Sequence, residues 1–137
     1  MKTLELIRYD EKLLFAIKGN KMSVMLIDVE FKSHNTTFHM DEFQFEEFKK
    51  YINYWFNNSN DKWYSEVELK NENCFGDIIL HSQIEFGLNE NDDIDEKNIE
   101  ELFIEIKTEH IDSDFRKKQS INIDQNSINM LKEFLND

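Results

Sequence analysis

Apolar and polar residues alternate along most of this chain, the period-two signature of strands with one buried face. Only two stretches shift to a helical period. The first is Asp41 to Asn58, DEFQFEEFKKYINYWFNN, where Phe45, Phe48, Ile52, Trp55 and Phe56 recur at three and four residues and make one apolar stripe. Asp41 with Gln44 reads as an N-cap and its capping-box partner, satisfying N–H groups left free at the helix start. Glu46 and Glu47 lie near the positive end of the helix dipole, Glu46 is within reach of Lys50, and Asn57-Asn58 supply a stop. The second stretch is Asp124 to Asn136. Ile128, Leu131 and Leu135 form its stripe, Met130 and Phe134 join it, and Asp124 or Ser127 is the N-cap.

Strand patterns fill the rest. Thr3–Tyr9 and Lys12–Lys18 flank a turn at Asp10-Glu11, with Leu13, Phe15 and Ile17 sharing one face of the second strand. Gly19-Asn20 is a two-residue hairpin signal. Lys21–Lys32 follows, with Met25, Ile27, Val29 and Phe31 on one face and Asp28 and Glu30 on the other. Ser33-His34-Asn35 turns the chain into Thr36–Met40. After the first helix, Trp63–Lys70 alternates again, Asn71-Glu72-Asn73 reads as a turn, and Phe75–Leu88 is one long strand or two broken near Ser82. Gly87–Asn98 is a polar loop, and Ile99–Thr108 and Arg116–Ile123 complete the set. The expectation is an α+β fold: a largely antiparallel β-sheet of about seven or eight strands packed with two amphipathic helices. A length of 137 residues, with no proline and no low-complexity linker, predicts a single domain over 1–137.

Charge changes this picture most. The net charge is −13, and the stretch from 73 to 114 holds thirteen acidic residues against two basic ones. Such a chain repels phosphate backbones, so direct nucleic-acid binding is not expected and a basic partner is. The carboxylates Glu90, Asp92, Asp93, Asp95, Glu96, Glu100 and Glu101 form a run relieved only by Lys97, and Glu105, Glu109, Asp112 and Asp114 continue it. Either water or a cationic partner must offset the repulsion within that run. These eleven residues are the candidate partner-binding set. Phe43, Tyr51, Tyr54 and Tyr64 fall off the apolar stripes, and an exposed aromatic inside an acidic rim would suit a protein interface.

Candidates for chemistry are few. His34, His39, His81 and His110 lack metal-ligand spacing, and the lone Cys74 forms neither a disulfide nor a Cys-based zinc site. Asp93-x-Asp95 opens like a calcium loop, but Asn98 replaces its glycine and Ile104 its bidentate glutamate. With three glycines there is no phosphate-cradling loop, and pairs such as Glu66/Glu68 or Glu101/Glu105 are what 29 acidic residues produce by chance. No catalytic residue, cofactor or metal site is expected. Charges interrupt the N-terminal stretch and no run reaches about 18 apolar residues, which points to a cytoplasmic protein with no membrane span.

The order of elements in MLIDVEFKSHNTTFHMDEFQFEEFKKYINYW, and in ELFIEIKTEH followed by FRKKQSINIDQNSINMLKEFL, resembles small bacterial immunity proteins of contact-dependent or polymorphic toxin systems, particularly the WapI-type group. The resemblance implies a non-enzymatic, single-domain antitoxin that binds and inhibits a cognate toxin, often a nuclease. A basic, nuclease-type toxin would meet the acidic surface. The alternative is a nucleic-acid mimic that inhibits a host nuclease or restriction system, which requires carboxylates spaced like phosphates over an extended surface.

Overall fold

A computed structural model describes residues 1–28, 35–57, 67–75, 78–90, 100–110 and 116–136. The element order is β1 (Lys2–Arg8), β2 (Glu11–Lys18), β3 (Lys21–Asp28), β4 (Asn35–Met40), α1 (Glu42–Asn57), β5 (Val67–Phe75), β6 (Ile78–Glu90), β7 (Glu100–His110), β8 (Arg116–Ile123) and α2 (Gln125–Asn136). The eight strands make two four-stranded antiparallel meanders, β1-β2-β3-β4 and β5-β6-β7-β8, giving an α+β fold.

Local chemistry sets most boundaries. Gln44 N–H donates to Asp41 Oδ1 at 2.8 Å and Asp41 N–H to Gln44 Oε1 at 3.2 Å, so the capping box is formed at both ends. Ser127 N–H donates to Asp124 Oδ1 at 2.9 Å, which makes Asp124 the cap of α2. Gly19, at φ 64°, takes the first central position of the β2–β3 turn, where a positive φ is required and only glycine meets it without steric cost.

The inner face of the first sheet carries Leu6, Leu13, Phe15, Met22, Val24, Leu26, Phe38 and Met40, and that of the second Leu69, Ile84, Phe86, Ile104, Ile106 and Ile121. These belong to one buried cluster with Phe45, Phe48 and Ile52 of α1 and Ile128, Leu131, Phe134 and Leu135 of α2. Phe48 links the two sheets. Its ring lies 6.2 Å from that of Phe15 and 5.0 Å, edge-on, from that of Phe86. Thr36 Oγ1 donates to Gln119 Oε1 between β4 and β8, and Asn53 and Asn136 exchange amide hydrogen bonds at 3.0 and 2.7 Å between the helices.

Several expectations are corrected. On β3 the buried side chains are Met22, Val24 and Leu26, while Met25 and Ile27 take the outward face. Both faces of that strand are apolar, and pairing with the Leu13/Phe15 face of β2 decides between them. The first turn is Tyr9-Asp10 rather than Asp10-Glu11, because Arg8 pairs with Glu11. Asn71-Glu72-Asn73 is no turn but the middle of β5, which also takes in Phe75. Of the two alternatives for the next segment the single strand holds, β6 running unbroken past Ser82, and its extension to Glu90 shortens the polar loop. Tyr51 is buried against Phe86, their rings 5.0 Å apart, whereas Met130 is 48% exposed. Glu46 pairs with Lys49 at 3.7 Å rather than with Lys50. Expectations for Val29, Phe31, His34, Asn58, Trp63 and Tyr64, and for the side chains of Tyr54, Trp55 and Phe56, fall outside the described residues.

Candidate functional site at the Tyr9 turn

The β1–β2 hairpin closes with Arg8 opposite Glu11, leaving Tyr9 and Asp10 as its two turn residues. Tyr9 adopts φ 54°, a left-handed conformation uncommon for a bulky side chain, and is 88% exposed. The register continues from Glu11 to Asp28, so Asp10, Glu11 and Asp28 gather at one end of the first sheet beside an outward-pointing aromatic. Burial, then repulsion from Asp28, raises the Glu11 pKa, Arg8 partly offsetting both.

Arg8 ties this end to the second sheet. Its guanidinium donates to the carbonyl oxygen of Asn122 and lies 3.3 Å from Glu101 Oε1, and the hydrogen bond to Glu101 raises the Arg8 pKa further. Glu101 stands opposite Asn89, and Glu90 opposite Glu100, at the end of the β6–β7 pair. Glu101, at the start of β7, therefore stands beside the Tyr9 turn. Two adjoining depressions, of about 350 and 660 Å³, run along β8 from there. Arg8, Tyr9 and Asp10 line the first, Asp28 and Arg116–Lys118 the second, and Glu11 and Ser120 both.

Three of the candidate carboxylates can be followed as side chains. Glu101, Glu105 and Glu109 project from the same face of β7, opposite the buried Leu102, Ile104 and Ile106. Each is engaged within the chain: Glu101 by Arg8, Glu105 by Lys118 at 3.6 Å, and Glu109 by Arg116 at 3.1 Å and Lys107 at 3.4 Å. Glu90 and Glu100 are placed by backbone register alone. Asp92, Asp93, Asp95, Glu96, Asp112 and Asp114 lie outside the described residues. Sequence reading missed Tyr9, Asp10, Glu11 and Asp28; the only signal was an aromatic-acidic dipeptide between two strand patterns.

Among the described residues, groups suited to bond chemistry do not converge. His81 Nδ1 is 3.8 Å from Glu72 Oε1, too far for a hydrogen bond that would orient the ring for proton transfer. Cys74 is exposed on β5, opposite Ile79 rather than a base. Among the described residues no group of three or more His, Cys, Asp or Glu could hold a metal ion, and no helix is long and apolar enough to cross a membrane. No protein-family model matches the chain, and no curated protein is significantly similar to it.

Proposed function

We propose that this chain is a cytoplasmic bacterial immunity protein, a non-enzymatic antitoxin that binds and blocks a cognate basic toxin of nuclease type. The observation that carries the reading is Tyr9: a fully presented aromatic, held at a positive φ, with Asp10, Glu11, Asp28 and the Glu101 end of the acidic stretch around it. An exposed tyrosine supplies a rigid anchor with little side-chain entropy to lose, and the surrounding carboxylates steer a cationic surface onto it. Strain kept at an exposed turn is a common mark of a functional contact. The net charge of −13 extends the steering field well beyond the contact itself.

The test is capture from the native host with tagged protein, then expression of the captured protein with and without this chain. A basic protein that arrests growth alone, and is silenced by the wild type but not by a Tyr9→Ala, Asp10→Lys, Glu11→Lys variant, supports the reading. Full protection by that variant would remove the Tyr9 turn from the interface. Captured proteins that are harmless alone would remove the immunity reading altogether.

A further inference from the structure

The outward face of the second sheet carries charge in rows. Opposite the buried Leu69, Ile84 and Ile106, the register aligns Glu68, Glu85, Glu105 and Ser120 across β5 to β8. It aligns Lys70, Gln83, Lys107 and Lys118 in the next row, and Glu72, His81, Glu109 and Arg116 in the third. Successive rows are about 6.8 Å apart, two residues along a strand, and neighbours within a row about 4.8 Å apart. Like charges directly opposite on adjacent strands oppose sheet formation, and here Glu85 faces Glu105 and Lys107 faces Lys118. Lysines and glutamates two residues apart soften this along the strands, Lys70 reaching Glu68 at 2.9 Å.

A face with an acidic row beside a basic row is complementary to itself. A two-fold axis lying in the face, parallel to the rows and midway between the first two, sets every acid of the first row over a donor of the other copy. Glu68 meets Lys70, Glu85 meets Gln83, Glu105 meets Lys107, and Ser120 meets Lys118, each pair formed twice. Shifting the axis by one row towards Arg116 would set Lys118 over that residue, a like-charge clash that the first placement avoids. The three rows hold five carboxylates and four cations. On a chain of net charge −13 this face is therefore close to balanced, and two copies can approach across it without the repulsion that opposes contact elsewhere.

We propose that this striped face is an interface between two copies of the chain, closed by an isologous two-fold contact. Two sheets stacked this way stand about 10 Å apart with strands nearly aligned, the spacing that side chains of this length fill. Four strands and three rows make a small, polar contact, of the size class that associates weakly and reversibly. The interface uses none of the residues varied in the toxin test, Tyr9, Asp10 and Glu11, so the two readings can fail separately.

Sedimentation equilibrium from about 5 to 500 µM protein, in low and high salt, tests it together with charge swaps. The wild type is expected to form dimers that loosen about tenfold or more on going to 0.5 M salt. Lys107→Glu and Glu105→Lys should each weaken association about tenfold or more, and the double swap should restore it to within about threefold of wild type. Glu68→Lys with Lys70→Glu on β5 repeats the test at a second position, with circular dichroism confirming that each variant folds. A monomer throughout the concentration range, single swaps without effect, or a double swap no tighter than the singles would each overturn the proposal.

Discussion

Among the described residues, Tyr9 is the non-glycine residue that adopts a positive φ, a backbone that fits its side chain poorly. A non-glycine residue in the left-handed region costs roughly 1–2 kcal/mol, against the roughly 0.5–1 kcal/mol of chain entropy that glycine would add. Tyr9→Gly is therefore expected to stabilise the fold by about 0.5–1 kcal/mol in urea titrations while weakening partner binding at least about tenfold. Glu11 beside it is the group whose folded environment favours the protonated acid. A raised folded pKa means that its stabilising share is complete below the unfolded value and is lost as pH rises through the folded one. Glu11→Gln should raise the melting temperature at pH 7, with the gain shrinking towards about pH 4. Asp124 has the opposite sign: hydrogen bonds from the Ser127 and Asn126 backbones lower its pKa, so its contribution is present near neutrality and lost as pH falls through that lowered value. Asp124→Ala should cost about 1 kcal/mol at pH 7, and melts repeated in acid should show the difference narrowing.

At the scale of elements, period and caps carried the reading a long way. Both helices start where Asp41 and Asp124 place them, since an N-cap is a local bond readable from three or four residues. The misreadings fall where a distant partner outvotes local preference. Asn71 has the look of a turn residue, yet its amide is held in mid-strand by α1 and β4. Asn71 Nδ2 donates to His39 O at 2.6 Å and to Gln44 Oε1 at 2.9 Å, while Gln44 Nε2 donates to Asn71 Oδ1 at 2.9 Å and to Lys70 O at 3.2 Å. Gln44 thus closes the cap of α1 and secures edge strand β5 at once. Removing the amide leaves those partners short of bonds, so Asn71→Ala should cost about 1–3 kcal/mol in chemical denaturation. Gln44→Ala should be less than additive with it, a coupling that a double-mutant cycle measures. The same limit hid the candidate site. Acidity between 73 and 114 was visible, but that Glu101 meets Arg8, and so stands beside Tyr9, follows only from packing across 93 residues.

At the scale of the whole molecule the question is whether two meanders, each consecutive in sequence, fold as two units or one. Each sheet contributes its inner face to the same buried cluster. The connections between them include side chains of α1 and the bonds of Arg8, Thr36, Asn71 and Lys2, the last reaching from β1 to the carbonyl of Phe134 on α2. α2 follows the second sheet in sequence yet packs on β1 as well as β7, so neither half has its own helix to close it. Phe48, with no exposed surface, occupies the place where the halves meet and touches an aromatic ring of each. If the halves share one core, Phe48→Ala should cost about 3–5 kcal/mol and lower the stability of both sheets equally. Native-state hydrogen exchange reads this directly. Amides in β2 and β3 and those in β6 and β7 should open with the same free energy in the wild type, and that value should fall together in the variant. Protection lost in one meander and kept in the other would mean two folding units, with the shared cluster a contact between them rather than a common core.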